Sequence, residues 1–167
     1  MIRDQDTATL LRRGVLALAA LGLAGTAVEL IFLRHWSSAI SAIVWPALAA
    51  LAVAFALLVL MRGATRRGVH AARILAGIVV LIAGLGIYFH VAQNLAAGPR
   101  DRHTAATWSE KSLLEQWWLA IDGRVGEAPT LAPGALAEIS LALLLATVRH
   151  PALSTPVPSA APAVGLD

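Results

Sequence analysis

Four long apolar segments, separated by arginines, constrain this sequence more than any other feature. They run from Gly14 to about Leu33, from about Ile40 to Met61, from Ile74 to about Ala96, and from about Leu131 to Val148. A transmembrane α-helix needs about 20 consecutive, mostly apolar residues. Each segment approaches that length, and the fourth is the shortest. We therefore predict an all-α integral membrane protein, an antiparallel four-helix bundle spanning residues 14–150.

The composition favours lipid as the solvent of this chain. Hydrophobic residues make up 58% of the 167 residues, and charged residues make up 14%. Soluble domains average about 45–50% apolar and about 25% charged residues. A folded chain of this length could not bury so much apolar surface away from water. The arginines flank apolar runs instead of forming a stripe, which argues against nucleic acid as a partner.

The start of the first segment raises the question of a cleaved signal. Arg12-Arg13 before an apolar run resembles a twin-arginine signal, and Gly25-Thr26-Ala27 offers small residues for cleavage. The apolar run nevertheless continues through Leu30-Ile31-Phe32-Leu33. We therefore expect an uncleaved first span.

The placement of the arginines predicts the orientation. Residues 1–13, the second loop and the flank of the fourth segment hold arginines with few acidic neighbours: Arg3, Arg12, Arg13, Arg62, Arg66, Arg67, Arg73 and Arg149. On the opposite side, acidic residues dilute the basic ones. The positive-inside rule then places both termini in the cytoplasm. Because arginine outnumbers lysine twelve to one, and alanine and leucine dominate the composition, we predict a bacterial inner membrane.

The third loop, about residues 97–130, is long enough to carry structure of its own. Thr107-Trp108-Ser109-Glu110 fits a capping box, and Gly123 fits a helix stop. Between them, apolar residues recur at helical spacing: Leu113, Leu114, Trp117, Trp118 and Ile121. We predict an amphipathic helix, which either lies on the outer membrane surface or packs on the bundle as a lid. Residues 151–167 are rich in Pro and Ala and are predicted to be a disordered tail.

Aromatic residues near the predicted outer boundary fit the belt that membrane proteins place at the headgroups. The predicted interfacial aromatics are Trp36, Trp45, Trp108, Trp117 and Trp118.

Four polar side chains inside apolar segments require an explanation, because a charge at the bilayer centre costs about 2.5–3.5 kcal/mol. They are Glu29, His90, Asn94 and Glu138. With ~1.5 Å of rise per residue, Glu29 and His90 both lie ~24–25 Å from the arginines that precede their segments. We predict that the four form an intramembrane polar cluster. Three uses of it remain open: a structural hydrogen-bond network, a metal or haem site, and a proton or substrate relay.

For the metal or haem site, the candidate ligands are Glu29, His90 and the more peripheral His35. The sequence assigns no catalytic residue, because it contains no phosphate loop, nucleophile elbow or zinc-protease motif. We predict a non-catalytic accessory or assembly subunit of a larger inner-membrane complex. Its expected partners are lipid and other membrane subunits, or a second copy. The alternatives are a metal- or haem-binding redox protein and a small proton-coupled carrier.

Three runs of residues resemble small four-span proteins of bacterial inner membranes. They are Glu29-Leu30-Ile31-Phe32-Leu33-Arg34-His35-Trp36, Tyr88-Phe89-His90-Val91-Ala92-Gln93-Asn94 and Leu131-Ala132-Pro133-Gly134. The resemblance covers most of residues 10–151. It implies the four-span architecture and no activity.

Overall fold

The computed structural model describes residues 4–37, 42–59 and 65–153, and every regular element in these ranges is helical. The α-helices are α1 (Asp4–Phe32), α2 (Val44–Val59), α3 (Arg66–Ala97), α4 (Leu113–Ile121) and α5 (Gly134–Ala146). Short 3₁₀ helices cover Gly98–Arg100, Ala105–Glu110 and Pro151–Leu153. The all-α prediction is confirmed for these residues.

Two of the helices are long and apolar enough to cross a membrane. Their qualifying stretches are Thr7–Phe32 in α1 and Arg66–Arg100, which contains α3. The other two predicted spans correspond to shorter apolar helices, α2 with 16 residues and α5 with 13. α5 begins three residues later than the predicted span because Leu131–Pro133 form a turn.

α5 packs against α1 and runs in the opposite direction. The Nε of Arg12, near the start of α1, donates to the carbonyl of Ala146 at the end of α5, at 3.0 Å. Further along α1, a Cβ placed on Gly22 would lie 2.7 Å from the Ile139 side chain. Since partner numbers fall in α5 as residue numbers rise in α1, the two helices are antiparallel.

α5 also runs antiparallel to α3. The Nε of Arg73 donates to Thr147 Oγ1 just beyond α5, at 2.8 Å. At the other end, a Cβ on Gly86 would lie 3.0 Å from Pro133 Cβ, so this glycine permits a close approach of the chain. α1 and α3 are therefore parallel to each other, with α5 packed against both.

Small and branched apolar side chains fill the space where these helices meet α2. The core contains Ala19, Leu51, Ala54, Ala76, Val79, Ala83 and Leu143, each at most 1% exposed. Alanine lets helix backbones approach closely, which favours packing where lipid supplies no hydrophobic driving force between helices. Many of the larger apolar side chains of α1 and α3 point outward instead.

The two ends of the helical core differ in chemistry. The first, which we call the arginine end, contains Arg12, Arg13, Arg66, Arg67, Arg73 and Arg149. The second, which we call the aromatic girdle, contains Phe32, Trp36, Trp45, Tyr88 and Phe89. Sixteen residues separate Arg73 from Phe89 along α3, which is ~24 Å of helix.

α3 continues past the aromatic girdle, and residues 98–130, which we call the cap, fold against its last turns. A second hydrophobic core joins Val91 of α3 to Trp108, Ala120 and Val125 of the cap. The predicted third span, residues 74–96, thus includes a portion that packs against the cap.

Candidate functional site

Asn94 holds the cap on α3. Its side chain is 1% exposed. Its Nδ2 donates to the carbonyls of Ala120 at 3.2 Å and Ala128 at 2.9 Å, and its Oδ1 accepts from the Ala128 N–H at 2.9 Å. One amide therefore satisfies three backbone groups of the cap. Because burying such groups unpaired costs about 1–3 kcal/mol each, the cap depends on this side chain.

His90 also bonds to the cap. Its Nδ1 donates to the carbonyl of Pro129 at 2.8 Å. Since a carbonyl can only accept, this bond places a proton on Nδ1. His90 and Asn94 lie one turn apart on α3, so that both reach the segment that follows α4.

Gly126 completes the contact around Asn94. Its φ is +73°, and a Cβ there would collide with Asn94 Oδ1. Both the left-handed backbone and the close approach require a residue without a side chain. Gly98 makes room in a similar way for the ring of Trp108.

The start of α4 differs from the predicted capping box. Thr107–Glu110 lie within the 3₁₀ helix Ala105–Glu110, and α4 starts after Ser112. The Oγ of Ser112 accepts from the Glu115 N–H at 3.2 Å. The N-terminus of this helix is therefore capped by the residues Ser112-Leu113-Leu114-Glu115. The sequence contains two Ser/Thr-x-x-Glu patterns, one at Thr107 and one at Ser112. The first lies in the 3₁₀ helix, where the Trp108 ring packs on Gly98.

The end of α4 agrees with the prediction. Gly123 has φ +74°, and the Arg124 N–H bonds to the carbonyl of Leu119 at 3.1 Å. This is the bonding pattern of a glycine-terminated helix.

α4 has one face against α3 and one face exposed. Ala120 is fully buried, and Gln116 donates to the carbonyl of Trp108 at 2.9 Å. Leu113, Leu114, Trp118 and Ile121 are exposed and line the outward side. The predicted amphipathic helix is present, and it packs through its small-residue side.

The predicted interfacial tryptophans separate into different environments. Trp36 and Trp118 are exposed, whereas Trp45 and Trp117 are partly buried. Trp45 donates its indole N–H to the carbonyl of His35 at 3.0 Å and packs beside Trp36, with ring centroids 6.2 Å apart. Trp108 is 8% exposed and lies in the core of the cap.

At the arginine end, two guanidinium groups cover the end of α5. Arg73 donates to Thr147 Oγ1 and to its carbonyl, at 2.8 and 2.9 Å. Arg12 donates to the carbonyls of Ala146 and Arg149 at 3.0 and 3.3 Å. Cations at this position satisfy the last carbonyls of the helix and oppose its dipole. The sequence alone does not indicate these bonds, because the partners lie 134 and 74 positions away along the chain.

His150 lies beside the same arginines. Partial burial lowers the pKa of its imidazole, and the charges of Arg12 and Arg73 lower this pKa further. The Nδ1 of His150 accepts from the Ala152 N–H at 3.2 Å, which a neutral ring can do.

Glu29 lies on the exposed surface of α1. Within the described residues its carboxylate forms no hydrogen bond or ion pair. Counting from the contacts of Gly22 and Gly86 with α5, Glu29 lies within about one helical turn of the level of Phe89. It is thus at the level of the aromatic girdle.

Glu138 lies on the exposed side of α5 and has no hydrogen-bond or ion-pair partner in the described residues. It is nine residues before Thr147, which places it ~14 Å from the arginine end. It is also five residues after Pro133, and therefore lies well short of the aromatic girdle.

The four polar residues of the predicted cluster are not joined by direct bonds in the described part of the chain. His90 and Asn94 bond to the cap, while Glu29 and Glu138 are exposed on other helices. Residues 4–37, 42–59 and 65–153 contain no group of three or more His, Cys, Asp or Glu side chains arranged to hold a metal ion. Joint binding of a ligand by these residues stays a prediction.

No protein-family model, no curated protein and no solved structure matches this chain. The resemblance to four-span proteins of bacterial inner membranes therefore stays a prediction as well.

Proposed function

We propose that this protein is a non-catalytic accessory or assembly subunit of a larger complex in a bacterial inner membrane. In this proposal α1, α2, α3 and α5 cross the bilayer as four spans, with both termini in the cytoplasm. The cap then stands on the outer side, on the part of α3 that leaves the bilayer.

The membrane placement is supported by the outward apolar surface of the long helices. Only 17% of the apolar window of α1 and 22% of that of α3 is buried. Leu21 and Leu81 are each 70% exposed, and Phe32 is 82% exposed. Exposed apolar surface on this scale is unfavourable in water and favourable in lipid.

The two chemically distinct ends give the thickness of the embedded part. The ~24 Å between Arg73 and Phe89 approaches the ~30 Å of a bilayer hydrocarbon core, and arginine side chains can extend along the remainder. α5 has only 13 residues. In this proposal the turn at Leu131–Pro133 and the residues after Ala146 span the rest of the bilayer thickness.

The accessory role rests on one observation: the ionisable groups of the apolar segments lie outside the helical core. The core between α1, α2, α3 and α5 is filled by alanine, valine, leucine and isoleucine. Its buried Ser140 bonds to the carbonyl of Leu136 in its own helix, at 2.6 Å. Such a packed interior supplies no polar path for a substrate or a proton, whereas outward carboxylates suit contacts with other subunits.

Native mass spectrometry of the protein, extracted from its source membrane, tests the proposal. We expect a fixed stoichiometry with at least one different membrane subunit. A monodisperse species containing only this chain and lipid would contradict it, and a bound haem or metal ion in fixed proportion would favour the redox alternative. Reporter enzymes fused at residue 150 and within the cap test the orientation, with activity expected on opposite sides of the membrane.

A further inference from the structure

Between the arginine end and the aromatic girdle, the helices contain residues 14–28, 44–59, 74–87 and 134–146, which leave out Glu29 and His90 at the level of the girdle. Glu138 is the only Asp, Glu, Lys, Arg or His in these four ranges. If these stretches cross the bilayer as proposed, Glu138 lies ~14 Å from the arginine end and ~11 Å from the aromatic girdle. It is therefore close to the midplane. A glutamate side chain is too short to reach either boundary.

The outward face of α5 has a defined shape. Leu141 and Leu145 are 56% and 58% exposed and lie three and seven residues after Glu138, so the three share one stripe of the helix. The opposite side carries Leu136, Ile139 and Leu143, which are buried against the other helices. A carboxylate thus stands in the middle of an apolar surface that no other helix of the described chain covers.

We propose that this stripe is the docking face for a transmembrane helix of a different protein. The partner helix carries a Lys, Arg or His, or an amide side chain, that donates to Glu138 near the midplane. The proposal rests on the membrane placement given above, and it identifies which surface of the subunit engages the complex.

Charge complementarity selects this occupant over two others. Lipid tails offer no donor, and a charge at the bilayer centre costs about 2.5–3.5 kcal/mol on insertion scales. A second copy of the chain would bring a second carboxylate to the same level, and its apolar stretches contain no cation. A hydrogen-bond donor on the helix of a different protein lowers the free-energy cost of this carboxylate by pairing with it.

The contrast with Ser140 strengthens the argument. Both residues are polar and lie on α5, but Ser140 is fully buried and bonds to its own helix. Glu138, half a turn away, faces outward and finds no partner in the described chain. The polar group that faces inward is satisfied by this protein, and the one that faces outward requires a partner.

Photo-crosslinking in the native membrane tests the proposal. A crosslinking amino acid is placed at Leu141, one turn from Glu138. The matched control carries it at Val53, which is exposed on α2. This helix makes less contact with α5 than α1 and α3 make. We expect Leu141 to crosslink to a transmembrane segment of one other protein, mapped by mass spectrometry, with a donor side chain within a turn of the crosslink. The yield should fall at least tenfold in Glu138→Leu and less in Glu138→Gln.

Two controls keep the result interpretable. Glu138→Leu should leave the thermal stability of the isolated protein unchanged or higher, so that lost crosslinking is not lost folding. Where the mapped donor is Lys or Arg, Glu138→Lys should abolish crosslinking, and replacing that donor with Glu should restore it.

Several outcomes would overturn the docking face. They are crosslinks from Leu141 to lipid or to a second copy only, equal yields from Val53, a mapped segment without a donor, and yields that do not change in Glu138→Leu. A complex that persists unchanged in Glu138→Leu refutes this face and leaves the accessory role intact. Absence of any complex in the unmodified protein refutes the accessory role itself.

Discussion

The cap and the arginine end satisfy their charged and polar groups in different ways. In the cap, the two ion pairs join residues of the cap itself: Lys111 with Glu115 and Arg124 with Asp122, each at 3.0 Å. At the arginine end, no Asp or Glu of the described chain pairs with an arginine, and two guanidiniums bond to backbone carbonyls.

The difference fits the surroundings proposed for each end. A cap in water must satisfy its polar groups internally or with solvent, and Asn94 supplies the central bonds. An end placed among phosphate headgroups can leave its cations without carboxylates, because anionic lipid compensates them. Substitutions at the residues on which each end depends test this difference.

Replacing Asn94 with Leu should have the largest effect. The change removes three hydrogen bonds and leaves the backbone groups of Ala120 and Ala128 unpaired, at a cost of about 3–5 kcal/mol to the cap. Hydrogen exchange should accelerate across residues 98–130 and stay slow in the helical core. The exposed neighbour Gln93, changed to Ala, is the matched control. Equal acceleration in both regions would show that the cap is not a separate unit.

The two left-handed glycines of the cap allow a matched comparison. Gly126→Ala combines a strained backbone with a Cβ that collides with Asn94 Oδ1, and it should lower the free energy of unfolding by about 2–4 kcal/mol. Gly123→Ala has a similar φ but open space around its Cβ, and it should cost about 1–2 kcal/mol. Denaturant unfolding in detergent measures both. Similar losses would mean that the contact with Asn94 is unimportant.

Arg73→Gln should weaken the arginine end by about 1–2 kcal/mol, since it removes a charged donor from the end of α5. The readout is the thermal unfolding temperature in detergent, together with amide exchange at residues 147–150. Arg67→Gln, at an exposed site without a bond to α5, should change stability little. If the two variants behaved alike, the arginines would act only through their overall charge.

His150 should give the smallest effect and a defined pH dependence. Because its pKa is lower in the folded protein than its usual 6.5, the unfolded chain binds a proton first, and stability falls as the pH drops below about 6.5. The loss is complete once the pH lies below the folded pKa. His150→Asn should flatten this part of the stability curve between pH 7 and pH 5, and a curve that keeps its slope would assign the effect elsewhere.

Much of the fold could be predicted from local patterns. The apolar segments, the helical spacing of Leu113 to Ile121 and the stop at Gly123 are properties of neighbouring residues. They correspond to α1, α2, α3, α5 and α4 in the structure. The level of Glu29 relative to His90 was also predictable, because rise per residue is constant along a helix.

The candidate site was less predictable. Depth along a helix follows from counting residues, but the direction of a side chain around the bundle depends on which neighbours each helix meets. Counting residues therefore predicts one cluster of four polar side chains, Glu29, His90, Asn94 and Glu138. In the structure, His90 and Asn94 bond to the cap, and the other two are exposed. The two helix-capping patterns, at Thr107 and at Ser112, are a second example, because local spacing does not decide which of them starts α4.

The helical, apolar character of the chain and its basic end follow from residue type and spacing alone. The bond of Asn94 between the cap and α3, and the outward direction of Glu138 away from every described helix, follow from how the helices pack. The reason is physical: hydrogen bonds between residues 26 to 34 positions apart depend on how helices pack, and packing angles are not encoded in any local pattern.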